Sequence, residues 1–325
     1  MISDEIQEFT PQWLDSKPYV EAFTSGSTGI PKRIELPKSD MRASAEATCR
    51  RFGIDHRSIL HLCLSLRYIA GKMMMVRSFV SGARIISEEP SNHPLNDVSI
   101  PSIQNLLKEE KRISLSAIVP SQIEGLLQTP ALQFIDTVIV GGAPMTPQQE
   151  QMLQYHNANA YATYGMTETC SHVALRAIGT DRYTAMPGIT FDTDSRNCLV
   201  INAPHYTFGR LVTNDIVTLT GEDSFIWHGR YDNVINSGGV KIHPEEIERA
   251  LASIMGNSEY FVTSRPSERW GEEMILVTTP TGLSAEEIMA ACRLLLPPIK
   301  CPKQVVIRPT LPHTSTGKLL RRLDN

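Results

Sequence analysis

The sequence lacks the basic excess and the cysteine spacing that would each point to a particular class of protein. Its 325 residues carry a formal net charge of -4, which leaves no basic surplus to hold a nucleic-acid backbone. The six cysteines form no CxxC pair and no repeated short spacing, which argues against a zinc site or a disulfide framework. We therefore expect free thiols and no nucleic-acid partner.

Export and membrane signals are absent as well. No stretch reaches the about 18 uninterrupted apolar residues that a spanning helix needs. The first residues, MISDEIQEFTPQW, are acidic and polar where a signal peptide starts basic and becomes apolar. The sequence therefore predicts a cytoplasmic protein without a membrane span.

What is present is an ordinary globular composition, with 41% hydrophobic and 20% charged residues. The length favours two domains. Apolar runs alternate with amphipathic segments in the first two thirds, which predicts a layered α/β core. Strands are predicted at 19–23, 59–65, 83–87, 115–119, 137–140 and 159–163, and helices at 39–52, 73–80 and 147–155.

The pattern changes twice after this core. From Asp181, short strands separated by turns predict a small, largely antiparallel β subdomain. After NSGG, a helix opened by Pro244, two strands, a helix led by Ser284 and a last strand, QVVIRP, predict a small α+β domain. We therefore expect a large domain at 1–230, with an α/β fold and a β subdomain, and a mobile α+β lid domain at 231–325.

The stretch from Thr24 to Lys32, TSGSTGIPK, has the composition of a phosphate-binding loop. Its two glycines allow close backbone approach, and its four hydroxyl side chains and Lys32 can contact phosphate oxygens. A Ser/Gly-rich surface turn is the alternative. Two residues separate Gly29 from the lysine and an arginine follows it, which disfavours an ordinary P-loop NTPase.

A second polar cluster, YATYGMTET, follows the strand predicted at 159–163, and open α/β sheets usually bind ligands at the carboxyl ends of their strands. Glu168 lies between Thr167 and Thr169, and a carboxylate beside hydroxyls suits Mg²⁺ and phosphate oxygens. Tyr164 can stack on a flat base. Taken alone, a Thr-Glu-Thr turn is more typical of a solvated helix cap.

Two further signals are weaker on their own. Gly141, Gly142 and Ala143 follow the apolar run TVIV, so a planar ring has room beside this turn, although a tight turn would also explain them. Asp215 can accept paired ribose hydroxyls and Arg230 can donate hydrogen bonds. Both can also be plain surface charges.

Together and in this order, the motifs resemble the adenylate-forming superfamily of acyl-CoA synthetases, peptide-synthetase adenylation domains and luciferases. TSGSTGIPK resembles its phosphate loop, YGMTET its ATP and magnesium motif, and TNDIV its ribose-binding aspartate motif. GRYDNVINSGGVKIHPEEIE resembles its interdomain hinge. The near-terminal TSTGKLLRR, which contains Lys318, resembles its terminal lysine motif.

The resemblance implies that ATP and a carboxylic acid give acyl-AMP and pyrophosphate, after which coenzyme A takes the acyl group. It implies that Lys318 bridges the acid and the α-phosphate, that Thr167 and Glu168 contact that phosphate and Mg²⁺, and that Asp232 is the hinge. The residues it assigns to the β- and γ-phosphates are Thr24, Ser25, Gly26, Ser27, Thr28, Gly29 and Lys32. Those it assigns to adenine and ribose are Gly141, Gly142, Ala143, Tyr164, Gly165, Asp215 and Arg230.

The 23 residues before Thr24 are fewer than the superfamily usually has there, and dimerisation through the face so exposed is one expectation. Short chains of this kind resemble bacterial o-succinylbenzoate–CoA ligases of menaquinone synthesis. Arg67, Tyr68 and Gly71 would then border the acyl substrate. Arg77 would pair with the second carboxylate of o-succinylbenzoate. The alternative is that Arg77 sits at the exposed edge of a core helix.

Two other functions remain open at the level of sequence. One is a ligase for another acyl or aryl acid, which loads coenzyme A or a carrier-protein thiol. The other is a catalytically silent paralogue that binds nucleotide. Retention of both Lys32 and Lys318 argues against the silent paralogue.

Overall fold

The chain is organised around two main β-sheets. The computed structural model describes residues 1–23, 33–97, 99–313 and 319–321. The strands are β1 (Tyr19–Phe23), β2 (Arg33–Pro37), β3 (Ile59–Leu62), β4 (Arg84–Ser87), β5 (Leu115–Ile118), β6 (Val138–Val140), β7 (Ala160–Gly165), β8 (His172–Ala177), β9 (Arg182–Ala185), β10 (Thr190–Thr193), β11 (Cys198–Ala203), β12 (Gly209–Gly221), β13 (Ser224–Arg230), β14 (Ile235–Ser237), β15 (Val240–Ile242), β16 (Tyr260–Ser267), β17 (Gly271–Thr278) and β18 (Gln304–Ile307). The α-helices are α1 (Ile2–Leu14), α2 (Lys38–Phe52), α3 (Ile69–Ser81), α4 (Pro101–Lys108), α5 (Ile123–Gln128), α6 (Pro147–Tyr155), α7 (Pro244–Met255) and α8 (Ala285–Leu295).

The large sheet has a parallel half and an antiparallel half. Its strand order is β10-β11-β12-β13-β9-β8-β7-β6-β5-β3-β4, and β4, β3, β5, β6 and β7 run parallel. Every residue of β3, β5 and β6 is buried, as expected for parallel strands covered on both faces. The predicted layered α/β core is confirmed.

The strands after Asp181 are antiparallel as predicted, but they extend the large sheet instead of forming a sheet of their own. The link is β8, which pairs antiparallel with both β7 and β9. A second apolar core, which includes Phe191, Leu199 and Phe225, packs under this half. The site region therefore lies where the parallel strands meet the antiparallel ones.

Helix α1 was not predicted, although Ile2, Ile6, Phe9 and Trp13 recur at the spacing of one helical face. Ile2, Phe9 and Trp13 are buried, and the Trp13 ring stacks on Phe79 of α3 with centroids 6.3 Å apart. Helix α2 begins at Lys38, one residue before the predicted start at 39, so Ser39 lies inside the helix and does not cap it. Its N-cap is Pro37, which makes no capping side-chain bond.

The small domain has its own sheet, in the order β15-β14-β17-β16 with β18 paired parallel to β17. Pro244 occupies the first turn of α7, and Ser284 caps α8 through a capping box with Glu287, as predicted. A separate apolar core includes Ile242, Leu251 and Leu276. The predicted division after residue 230 falls between β13 and β14, and the division itself stays a prediction.

All six cysteines are buried and free, which agrees with the expectation of unpaired thiols. Within the described ranges, none of the helices has both the length and the apolar character needed to span a bilayer.

Candidate functional site

The turn after β6 lies tightly against β7. A side chain on Gly141 would place its Cβ 2.3 Å from the Thr163 Oγ1, and that hydroxyl donates to the Val140 carbonyl at 3.2 Å. Gly142 has φ +85°, which favours glycine. The predicted position therefore forms a ledge without side chains at the carboxyl end of the sheet.

The turn after β7 is locked by one buried threonine. The Thr169 hydroxyl lies 3.0 Å from both the Met166 amide and the Met166 carbonyl oxygen, and 2.7 Å from the Ser171 carbonyl oxygen. Cys170 follows with φ +62°, a conformation that costs a non-glycine residue about 1–2 kcal/mol. Strain of this kind concentrates at functional sites.

Glycine is required at the entrance to this turn. A Cβ on Gly165 would lie 2.3 Å from the Ser171 carbonyl oxygen, where β7 and β8 close around a register shift. Residues 167–169 form one turn of 3-10 helix. Glu168 is exposed there and has no hydrogen-bond or ionic partner in the described part of the chain. The turn thus presents one uncommitted carboxylate.

No group of three or more metal-ligating side chains is found in the described residues. Mg²⁺ usually binds through one or two carboxylates together with substrate phosphates, so it needs no such cage. Glu168 fits that role by its exposure and chemistry.

The Asp215 cluster consists of Tyr164, Asp215, Trp227 and Arg230. Asp215 is 8% exposed; its Oδ2 accepts the Tyr164 hydroxyl at 2.8 Å, and its Oδ1 accepts the Trp227 indole N–H at 3.0 Å. Burial and the Asp215 charge raise the pKa of Tyr164 well above its usual range, so the phenol stays a proton donor. A carboxylate has about four acceptor positions, so Asp215 keeps some for a ligand.

Arg230 links this cluster to the predicted hinge. It lies opposite Asp215 in the β12–β13 ladder, and its Nη2 donates to the Asp232 Oδ2 at 2.9 Å. The Asn214 amide also donates to Asp232, at 3.2 Å. Burial alone would lower the pKa of Arg230, but the hydrogen bond that it donates to Asp232 and the charges of Asp215 and Asp232 outweigh burial and raise it.

The Arg77 cluster consists of Thr48, Arg77, Ser171 and His172. Arg77 is 2% exposed, so the predicted alternative of an exposed edge position is wrong. Its Nη2 donates to the Ser171 Oγ at 2.9 Å, its Nη1 lies 3.3 Å from the Met74 sulfur, and its Nε has no partner. No carboxylate in the described residues pairs with it.

Burial lowers the pKa of Arg77 to about 10, which still leaves the guanidinium charged at neutral pH. Burial and the Arg77 charge lower the pKa of His172 to about 3, so the imidazole stays neutral. The cluster therefore holds one buried positive charge that has no counter-charge among the described residues, and it is bonded to Ser171, two residues after the Thr167–Thr169 turn.

The other predicted acyl residues lie differently. Arg67 is exposed, with 82% of its side chain accessible, and its Nε lies 3.2 Å from the Glu5 Oε1 of α1. Tyr68 is 47% exposed. A Cβ on Gly71 would lie 2.3 Å from the Ser65 carbonyl oxygen, so this glycine serves the close approach of α3 to the preceding loop. The structure does not bring Arg67 and Tyr68 together with Arg77.

The phosphate loop, Thr24 to Lys32, and the terminal Lys318 lie outside the described residues. Residues on either side of these two segments are described. Phe23 pairs with Arg33 in the β1–β2 ladder. Near the terminus, Arg321 forms a two-pronged ion pair with Glu248 of α7, and one of its two contacts measures 2.6 Å.

Sequence reasoning missed Trp227, Ser171 and His172. Ser171 and His172 directly follow the YGMTET motif, so their position was a usable signal. Trp227 was detectable only from the β12–β13 pairing, which places it near Asp215 through a register shift.

A cavity of about 570 Å³ lies at the other edge of the sheet, where β3, β4, β5 and β6 begin. It is lined by basic side chains, but Arg57 is paired with Asp55 and Arg112 with Asp136. Because two of its arginines are already paired with carboxylates and it lies away from both clusters, it is not the candidate site.

Comparison with known proteins covers nearly the whole chain. The AMP-binding enzyme family matches residues 4–197, and the AMP-binding enzyme C-terminal domain matches residues 246–318. A 2-succinylbenzoate–CoA ligase of Listeria monocytogenes is 26% identical over 340 residues, which cover 97% of this chain and 71% of the relative. An indoleacetate–CoA ligase of Aromatoleum aromaticum is also 26% identical, over 95% of this chain and 67% of the relative.

Solved structures give the same family. An AMP-forming acyl-CoA synthetase/AMP-acid ligase II-like protein from Dyadobacter fermentans is 30% identical, with a TM-score of 0.63 over 98% of this chain and 91% of the other. The o-succinylbenzoate coenzyme A synthetase from Bacillus subtilis, in complex with ATP and a magnesium ion, has a TM-score of 0.79 over 93% of this chain and 68% of the other. At 21% identity, that second likeness establishes the fold alone.

Proposed function

Because the chain belongs to the AMP-binding enzyme family, whose members here are AMP-forming acid–CoA ligases, we propose that it activates an acid with two carboxylates, namely o-succinylbenzoate. One carboxylate oxygen attacks the α-phosphorus of ATP, the bond to pyrophosphate breaks, and acyl-AMP forms. The sulfur of coenzyme A then attacks the acyl carbonyl, and AMP leaves with the electron pair of the broken bond.

The observation that carries the choice of acid is the uncompensated charge of Arg77. A buried charge is normally paired, because removing it from water is costly. The described chain supplies no carboxylate to this guanidinium, and its Nε is unsatisfied. The distal carboxylate of o-succinylbenzoate is the partner that Arg77 lacks, and the names of several relatives agree with this choice.

We assign the nucleotide to the side of the Thr167–Thr169 turn that faces away from Arg77. Gly141, Gly142 and Ala143 form the ledge for adenine, and Tyr164 with Gly165 bounds it. Asp215 and Arg230 hold the ribose.

Thr167 and Glu168 face the α-phosphate. Mg²⁺ bound at Glu168 would supply positive charge that offsets the phosphate oxygens. From the motif match we assign the β- and γ-phosphates to the loop from Thr24 to Lys32, the catalytic role to Lys318 and the hinge to Asp232.

The test is a coupled assay with ATP, Mg²⁺, coenzyme A and a panel of acids: o-succinylbenzoate, benzoate and a fatty acid. The wild type is expected to use o-succinylbenzoate most efficiently. Arg77→Gln should lower kcat/KM for that acid by about 100-fold, since a charged hydrogen-bonded pair is lost, and leave benzoate almost unchanged. Arg67→Gln is the matched control, because Arg67 is exposed and already paired.

A wild type that prefers benzoate or the fatty acid by a wide margin would remove the substrate assignment. ATP binding without pyrophosphate exchange for any acid would remove the enzymatic assignment.

Lys318→Ala should lower acid-dependent pyrophosphate exchange by about 100-fold or more, because preorganised charge at the reacting centre is lost.

A further inference from the structure

The Arg77 guanidinium is held by a chain of hydrogen bonds that crosses from α3 to α2. The Arg77 Nη2 lies 2.9 Å from the Ser171 Oγ, which lies 3.3 Å from the His172 Nδ1. The His172 Nε2 lies 3.2 Å from the Thr48 Oγ1, which lies 3.0 Å from the Ser44 carbonyl oxygen. Thr48 is 0% and His172 6% exposed, so bulk water does not compete for these bonds.

The direction of every bond is fixed by the two ends. A guanidinium only donates, so the Ser171 oxygen accepts from Arg77 and its own proton is free for the His172 Nδ1. A carbonyl only accepts, so the Thr48 proton goes to Ser44, and the Thr48 oxygen accepts from the His172 Nε2–H. The Thr48 end therefore requires a proton on the His172 Nε2, and the free Ser171 proton is satisfied by an unprotonated Nδ1, so the neutral imidazole tautomer protonated at Nε2 satisfies every bond in the chain.

We propose that Thr48, Ser171 and His172 are specificity-determining positioning residues, which aim the Arg77 guanidinium at the distal carboxylate of the acid. This inference rests on the proposed function, in which Arg77 binds that carboxylate. Ser171 follows the strained turn that presents Thr167 and Glu168, so the relay fixes the distance between the distal carboxylate and the reacting one.

The decisive variant is Thr48→Val, which keeps the shape of the side chain and removes the acceptor. The His172 Nε2–H is then left without its partner, and the relay loses its anchor on α2. We expect kcat/KM for o-succinylbenzoate to fall about ten-fold through KM, with no change for benzoate and none in the KM for ATP. Thr48→Ser restores the hydroxyl and should restore the preference.

Thr137→Val is the matched control. Thr137 is also a buried threonine, and its hydroxyl accepts the Asn159 amide at 3.2 Å near the start of β6, away from the site. A general loss of stability would affect both valine variants and both acids alike. A Thr48→Val enzyme that keeps the wild-type preference, or that loses both acids equally, overturns the relay.

The two proposals fail separately. If Arg77→Gln loses the preference and Thr48→Val keeps it, the relay is wrong and the substrate assignment stands. If the wild type does not prefer o-succinylbenzoate, the substrate assignment fails, and the relay is judged by the protonation state of His172. In ¹⁵N-histidine-labelled protein, with the signal assigned by His172→Gln, we expect a neutral Nε2–H imidazole from pH 8 to about pH 4; an Nδ1–H tautomer or titration near pH 6.5 overturns it.

Discussion

Asp215 of β12 and Arg77 of α3 are both buried charged residues, yet only Asp215 is surrounded by groups that satisfy it. Its two carboxylate oxygens accept hydrogen bonds from the Tyr164 hydroxyl and the Trp227 indole N–H, and Arg230 lies opposite it in the β12–β13 ladder. Arg77 has one hydroxyl, one thioether contact and an unpartnered Nε. The Asp215 cluster is thus complete before any ligand binds, whereas the Arg77 cluster lacks a negative charge.

The effect of a buried charge on stability thus depends on the groups that surround it. A compensated carboxylate stabilises the fold and stays oriented for the neutral hydroxyls of a ribose. An uncompensated guanidinium destabilises the fold until a ligand brings its counter-charge. We therefore expect loss of the Asp215 charge to lower the free energy of unfolding and loss of the Arg77 charge to raise it.

The largest effect is expected from Asp215→Ala. Tyr164 and Trp227 lose their acceptor, so the free energy of unfolding should fall by about 3 kcal/mol, and the KM for ATP should rise about 100-fold for every acid alike. Urea denaturation and pyrophosphate exchange measure the two effects. Asp192→Ala, which removes an exposed carboxylate, is the control; a KM for ATP within about three-fold of the wild type would show that the Asp215 cluster does not hold the nucleotide.

Arg77→Met should act in the opposite direction. Removing a buried charge that has no partner should raise the free energy of unfolding of the ligand-free protein by about 1 kcal/mol, although the preference for o-succinylbenzoate is lost. The matched control is Arg176→Met, since Arg176 is largely buried but paired with Glu150, and its loss should destabilise by about 2 kcal/mol. Destabilisation by Arg77→Met equal to that of Arg176→Met would mean that Arg77 is compensated within the chain.

The pH dependence of stability probes the same cluster. In the folded protein, burial and Arg77 lower the pKa of His172 to about 3, against about 6.5 in the unfolded chain. The unfolded state therefore binds this proton first, so the contribution of His172 is complete above about pH 6.5 and is lost as the pH falls toward 3. Urea titrations between pH 7 and pH 4 should show a slope that is steeper in the wild type than in His172→Gln, by an amount that rises to about 1.4 kcal/mol per pH unit below about pH 5.5. If the free energy of unfolding varied with pH in the same way in both proteins, the lowered pKa of His172 would be contradicted.

The smallest effect is expected from Arg67→Ala. Its exposed ion pair with Glu5 should contribute less than about 0.5 kcal/mol, and the KM for the acid should change less than about two-fold. A selective rise in that KM would instead make Arg67 part of the acyl site and weaken the contrast between exposed and buried arginine.

The local motifs were predictable because each depends on neighbouring residues. The turn around Glu168 and the strand that precedes the phosphate loop follow from turn residues and apolar runs in short windows. The link from Arg77 to Thr48 was not, because it depends on how α2, α3 and the β7–β8 turn pack together over long sequence separations. Helix α1 was predictable from a short window as well, because Ile2, Ile6, Phe9 and Trp13 fall on one helical face, and its packing on Phe79 shows that this face is buried.

The arginine at the end of β13 has a practical consequence for redesign. Arg230 lies opposite Asp215 and also donates to Asp232, so one guanidinium contacts both the proposed ribose position and the predicted hinge. Under these assignments, we expect a substitution at Arg230 that accepts another nucleotide to change the hinge as well. A redesign of nucleotide choice alone would then need a compensating substitution at Asp232.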